Sequence, residues 1–546
     1  MFKCSIIVVT ILNFLVLVTC GPAEQYRGHQ VVEMIAKDVA TANLLRAYVD
    51  NHNKDMDVWT LTPTACQVSV VGEQVDPLQK FCEENNIDFK VMIEDLEVAI
   101  TEHMKRDAPT AIRSLTRSAE TDEWFSRPQQ EQKPFNYEEY NRFDDIAKEL
   151  YRLQCAYPDI VDVTQIGLSH EKRPLLLVRI TQNVLGCSSK KKPVIWIDGG
   201  THAREWISVA TPMWILRELV TKFGKDDDVT NLLMENEIML SPVFNPDGYE
   251  YTFTGARLWR KTRTPTKKTD CLGIDANRNW DTEQFGGAGT SDDPCSPIYP
   301  GEFPEQDPAV RGFAQVLRYI RPRLKTYWTM HSFSQFLLTP NSYKREKPPT
   351  FRIFGGPAFV FVTTIISKSN RVYGTGNAID FQNNLLTGLS LDYVHDALQI
   401  PYSYLLELPP SRQSPFGFAL QKTEIDSVSK EVFCSMLAAL NRIDEDIAAR
   451  QQAATTVPPT TTIQTTFTTT KTTNLTTTPA TLPSVKISTT TLQTEKPNEE
   501  NSTTAASLQK TPESKLFSTP QRENSGSLEN TTTNNSGDNY RTSRRR

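Results

Sequence analysis

Residues 193–205 read PVIWIDGGTHARE. Val194, Ile195, Trp196 and Ile197 are apolar at consecutive positions, so a strand here must be covered on both faces. Such a strand belongs inside a sheet with helices above and below it. Comparable runs recur on either side: VDVTQIG (161–167), PLLLVRIT (174–181), NEIMLSPVF (236–244), LKTYWTM (324–330) and PYSYLLEL (401–408). Helical patterns separate them, among them YNRFDDIAKELYRLQ (140–154), the stretch after Trp206, and SKEVFCSMLAALNRIDEDI (429–447). The alternation predicts an α/β domain over 114–452, a mixed, mostly parallel sheet with helices on both faces.

A smaller unit precedes it, over 24–113. VVEMIA, MDVWTL, CQVSVV and FKVMIE are strand-like. TANLLRAYVD (41–50) reads as a helix with Thr41 as its cap and Leu44, Leu45 and Val49 on one face. VDPLQKFCEEN reads as a second helix that starts with Asp76 as cap and Pro77 in the first turn. The order β-α-β-β-α-β is the ferredoxin-like α+β pattern. The polar connector RDAPTAIRSLTRSAE (106–120) has no clear periodicity and offers Arg113 and Arg117 to a trypsin-like protease.

The ends of the chain are of another kind. Residues 1–20 carry Lys3 and then an apolar run from Ile6 to Val18, followed by Gly21 and Pro22, which reads as a secretory signal peptide. No later run approaches the ~20 apolar residues of a membrane span. From 453 to 546 the chain is roughly 30% Thr and nearly free of aromatics, as in disordered, glycosylated stalks. All four N-x-S/T sequons lie there, at Asn474, Asn501, Asn530 and Asn534. This tail explains why only 38% of the 546 residues are hydrophobic. A net charge of −6 excludes a nucleic-acid binder driven by bulk positive charge. Of nine cysteines, Cys4 and Cys20 fall in the signal segment and seven remain for an oxidising compartment.

His202 and Glu205 follow the strand VIWIDGG, three residues apart, so both can reach one ion. LKTYWTM leads into His331, and PYSYLLEL carries Glu407. Ligands gather at the carboxyl ends of strands in such sheets. Two His and one Glu leave zinc's fourth position for water, a catalytic rather than a structural pattern. Zinc makes water a usable nucleophile, and Glu407 can take its proton and pass it to the leaving amine. Of the seven His, only 202 and 331 follow sheet strands of the larger domain.

In that order, HAREWIS, LWRKTR, DANRNW and HSFSQ resemble the A/B-type (pancreatic-like) zinc metallocarboxypeptidases, over roughly residues 135 to 440. The small N-terminal unit is similar to that family's activation domain. The resemblance implies one Zn²⁺ held by His202, Glu205 and His331, with Glu407 as general acid/base and Arg260 stabilising the oxyanion. It implies that Asn277 and Arg278 hold the substrate's terminal carboxylate, that Arg204 serves outer subsites, and that Cys271 pairs with Cys295. The expected protein is a secreted, extracellular monomer that acts on peptide C-termini after a trypsin-like cut, with no nucleic-acid partner. Leu391 falls at the specificity position and predicts apolar C-terminal residues; Leu389 and Leu405 replace smaller family residues there. A register slip of one would bring in Asp392 and a preference for Lys or Arg. Two departures stand out: Asn383 or Asn384 where the family has a capping Tyr, and ELPPSRQ after the catalytic Glu. They leave open a peptide-binding glycoprotein that keeps the fold without turnover.

Overall fold

The structure, a computed structural model, describes residues 21–107, 134–186, 191–268 and 270–456. The signal segment, Arg113, Arg117, Cys187 and all four sequons lie outside the described residues. In the N-terminal unit, β1 (Gln30–Ile35), β2 (Met56–Leu61), β3 (Ala65–Val70) and β4 (Asp88–Ile93) form an antiparallel sheet in the order β2-β3-β1-β4. Helices Val39–Asn51 and Gly72–Glu84 complete the ferredoxin-like pattern. A further helix, Leu96–Asp107, which the sequence reading did not contain, leads out of the unit.

Both helix starts differ from expectation. Asp38, not Thr41, caps the first helix, its carboxylate accepting from the Thr41 amide at 2.7 Å. A carboxylate at the cap also meets the helix dipole favourably, which a hydroxyl does not. Leu45 and Val49 are buried with Ala42, whereas Leu44 is exposed. The second helix begins at Gly72 after Val71, which leaves Pro77 inside it and Asp76 without a capping role. Pro77 removes one donor, to the Glu73 carbonyl, and both residues are exposed, so water can take that bond.

The larger domain holds an eight-stranded sheet. Its strands are β5 (Val161–Leu168), β6 (Pro174–Ile180), β7 (Val194–Gly199), β8 (Glu237–Ser241), β9 (Leu324–Ser334), β10 (Phe336–Leu338), β11 (Gly374–Gly376) and β12 (Ser403–Ser411). The order is β11-β10-β12-β9-β7-β8-β6-β5. The centre, β12-β9-β7-β8, is parallel, and so is β10-β11; the other pairs are antiparallel. Strand β7 shows why the fold is layered. Ile195 and Ile197 enter one core with helices Phe143–Ala156, Trp206–Lys222, Phe351–Ser369 and Ile425–Thr456. Val194 and Trp196 enter another with helix Pro308–Ile320. That helix starts with Asp307, whose carboxylate accepts from the Ala309 amide at 2.8 Å, and with Pro308 in its first turn.

Candidate metal centre and substrate cleft

After β7 the chain must turn sharply beneath the helix that begins at Trp206. Gly199 and Gly200 permit this: a Cβ on Gly199 would meet the Ser208 carbonyl at 1.9 Å, and Gly200 has φ +69°. The Ser208 hydroxyl accepts from the Gly200 amide and donates to the Glu205 carbonyl, which fixes the loop. His202 and Glu205 thereby face the sheet edge, where they meet His331.

His331 is not at a strand end, as the sequence suggested. Pairing with β12 carries β9 on to Ser334, so His331 sits within the ladder. Glu407 lies opposite His331 on one side and opposite Phe336 on the other. Paired residues project to one face, so His331, Glu407 and Phe336 make one row. Two residues back, Thr329, Leu405 and Leu338 make the next row.

His202 Nδ1 is 2.7 Å from Glu205 Oε1 and 3.1 Å from His331 Nδ1, and His331 Nδ1 is 3.2 Å from Glu205 Oε2. All three residues are buried. Their ligand atoms lie within 4.8 Å of one another, the one such group among the described residues. Two ring nitrogens facing each other across a carboxylate are lone pairs in want of a cation, and an N,N,O set suits zinc. The far nitrogens are also engaged. His202 Nε2 is 3.2 Å from Asp275, and His331 Nε2 is 3.3 Å from the Thr329 hydroxyl, which donates to Asp198 at 2.6 Å. Carboxylates behind metal-binding histidines fix ring orientation and raise ligand basicity.

Asp275 has a second duty. Its other oxygen accepts from Nε and Nη2 of Arg260, at 3.2 and 2.9 Å. Burial works against its charge, but Arg260, Arg278 and His202 hold its carboxyl well below the usual range. Arg260 also reaches His202 Nδ1 at 3.3 Å, and its backbone carbonyl accepts from the Ala203 amide. Asp275→Asn keeps the shape and loses the charge. We expect it to weaken zinc binding about 10- to 100-fold, measured by chelator competition.

Asn277 and Arg278 follow in a segment bracketed by the Cys271–Cys295 disulfide, Cα–Cα 5.0 Å. Arg278 is buried, with Nε on the Gly289 carbonyl at 2.8 Å and Nη1 on the Asn277 carbonyl at 2.9 Å. Asn277 Oδ1 accepts from the Ser390 amide at 3.0 Å, which ties this segment to the turn that carries Leu391. Leu391 is packed with Leu338, Ala378, Leu386, Leu389 and Leu405, directly below the Glu407 row. Asp392 turns elsewhere, one carboxylate oxygen accepting from the Ser342 amide at 3.0 Å. Burial pushes Glu407 up to about 7, with the charge of Glu205 adding to it and His331, Arg260 and Arg412 opposing.

Arg204 stands apart from the metal group. It pairs with Asp57 of the N-terminal unit and stacks over Phe418, 4.1 Å from the ring centroid. Trp59 fills the neighbouring space, edge-on to Phe333 and Phe418 at 6.3 and 5.2 Å. Sequence reasoning missed Asp275, Asp198, Asp57 and Trp59. The first two left a signal: Asp275 opens the motif DANRNW, and Asp198 is the one acid in an otherwise apolar strand.

The zinc carboxypeptidase family matches residues 146–435, and the carboxypeptidase activation peptide matches residues 32–103. Carboxypeptidase A2 of Rattus norvegicus is 30% identical over 428 residues, 77% of this chain and 95% of that protein. Carboxypeptidase A6 of Mus musculus is 32% identical over 424 residues, covering 76% and 90%. The crystal structure of thrombin activatable fibrinolysis inhibitor superposes with a TM-score of 0.64 at 28% identity, covering 77% of this chain and 99% of that one.

Proposed function

This chain belongs to the zinc carboxypeptidase family, with an activation peptide ahead of the enzyme domain, and from that premise we propose that it releases apolar C-terminal residues from peptides and proteins. The observation that carries the reading is the His202–Glu205–His331 group with Glu407 in register beside His331. When bound there, zinc supplies a Lewis acid and lowers the pKa of water. Glu407 takes a proton from the attacking water and returns it to the departing amine. Arg260, held by Asp275, places a fixed cation where negative charge grows on the scissile carbonyl oxygen. Arg278, anchored through Nε and Nη1, offers its remaining Nη2 with Asn277 to the terminal carboxylate. The leucine cluster around Leu391 takes the last side chain, and the engagement of Asp392 with Ser342 supports an apolar preference over Lys or Arg.

The same reading makes the uncut chain a zymogen that is secreted through residues 1–20 and cut after Arg113 or Arg117. Asp57 and Trp59 occupy Arg204, Phe333 and Phe418 on the outer side of the cleft. A Trp at the centre of an interface carries about 2 kcal/mol or more. Trp59→Ala is therefore expected to raise the activity of uncut protein several-fold while leaving cut protein unchanged.

The test is a scan of peptides that differ only in the last residue, on trypsin-cut protein. Chelator-sensitive release of aliphatic residues is expected. Release of Lys or Arg alone would overturn the pocket assignment, and no release from any peptide would overturn the activity. The pH profile follows from the base. Glu407 must be ionised, so kcat/KM rises with pH through its pKa. Burial sets that pKa above the ordinary 4.5, up to about 7, and the charge of bound zinc draws it down. The acid limb should fall between those two values.

A further inference from the structure

We propose that Arg412 is a further substrate-binding residue, its guanidinium braced on Phe381 beside Glu407 to take a carboxylate of the bound peptide's last residue. Arg412 is the first residue beyond β12, in the stretch ELPPSRQ that departs from the family pattern. Its Cζ stands 4.0 Å from the centroid of Phe381. That ring lies 4.8 Å from Phe336, which is in register with Glu407. Both rings pack against the leucine cluster below the catalytic row. The guanidinium is therefore held on the aromatic pair that packs against the leucine cluster assigned to the substrate's last side chain.

Arg412 Nη2 is buried and has no hydrogen-bond partner among the described residues. A buried cationic donor without an acceptor is costly, and guanidinium nitrogens can only donate. The complementary acceptor is a carboxylate, which fits a guanidinium fork. A peptide can bring one from two sources: its terminal α-carboxylate, or the side chain of a C-terminal Asp or Glu. The aromatic brace fixes the cation in advance, so binding orders little further. In the uncut chain, Gln67 of the activation peptide donates to the Arg412 carbonyl at 2.6 Å and to nothing on its side chain. Cutting frees that backbone and leaves the brace intact.

The inference rests on the carboxypeptidase reading, and binding separates the two. Trypsin-cut Glu407→Gln protein, with and without Arg412→Ala, is titrated with three peptides: one ending in Leu, its C-terminal amide, and one ending in Glu. Loss of Arg412 should weaken the free acids on the order of tenfold or more and leave the amide within about twofold. A loss shared by the Leu and Glu peptides assigns the α-carboxylate; a loss confined to the Glu peptide assigns the side chain. Equal losses for acid and amide, or none for any peptide, overturn the proposal. Arg412→Gln keeps the packing over Phe381 and is read in the same way if the alanine variant does not fold. Turnover by Glu407-containing protein on the same peptides tests the activity separately.

Discussion

Glu407→Gln is expected to lower kcat by about 10²–10⁴-fold, the range that general acid–base catalysis contributes. The substitution is nearly isosteric and leaves every metal-facing atom of His202, Glu205 and His331 in place. Zinc content should therefore stay at one per chain and KM should stay within a few-fold. This separates loss of the proton carrier from loss of the ion. Glu407 suits the role because its surroundings pull in opposite directions: burial and the Glu205 charge raise its pKa, and His331, Arg260 and Arg412 oppose them. An ordinary surface Glu would be a weak base at neutral pH, whereas one raised toward 7 is matched to the operating range. Removing the carboxylate also relieves its repulsion with Glu205, so the metal-free variant should melt no lower. Activity within tenfold of the unsubstituted protein would reject the base assignment. A fall in zinc content would show that the substitution had disturbed the metal group instead.

The parts of the fold legible in the sequence were those set by local burial. Val194 to Ile197 could be placed at the centre of a covered sheet because four apolar residues in succession leave no face for water, and the two cores confirm it. Helix starts were less legible. Asp38 and Thr41 are both sound caps, and the choice between them depends on where the preceding strand releases the chain. Pro77 reads as a start signal, yet an exposed position with a solvated carbonyl behind it tolerates proline within the helix. The sequence pattern sets His331 at a strand end, whereas β9 runs on past it, because the ladder beyond depends on β12, more than seventy residues on.

The metal-facing residues were legible through motif and resemblance together; the residues that support them were not. Asp275 meets His202 across 73 positions, and Thr329 meets Asp198 across 131. Each acid is conspicuous in its own segment, but neither segment says which residue it meets. Asp57 reaches Arg204 across 147 positions, so the cover over the cleft emerges only when the two sheets are seen together. The same holds for Arg412, which reads as one more polar loop residue until Phe381 is found beneath it.

Recognition of a free C-terminus gives the second large effect. Arg278→Gln should raise the dissociation constant for free-acid peptides by about 10²-fold or more, because truncating one partner of a desolvated ion pair costs about 2–5 kcal/mol. The corresponding C-terminal amides should lose far less, since they bring no charge to be paired. The argument depends on how Arg278 is held. Two of its donors are spent on the carbonyls of Gly289 and Asn277, so the guanidinium cannot swing to meet a ligand and the remaining nitrogen is fixed in advance. Gly388, with φ +73°, lets the next segment close over it: a Cβ there would meet the Arg278 carbonyl at 2.1 Å. Burial draws the guanidinium down to about 10, still far enough above neutral pH for the cation to be complete, so the effect should not vary between pH 6 and 8. Arg278→Lys separates charge from geometry. A lysine restores the cation but cannot keep both carbonyl anchors and present a third donor, so it should recover only part of the acid-over-amide preference. Full recovery by lysine would mean that charge alone selects the C-terminus. An unchanged acid-over-amide ratio in the Gln variant would place the carboxylate elsewhere in the cleft, with Arg412 as the cation left to hold it.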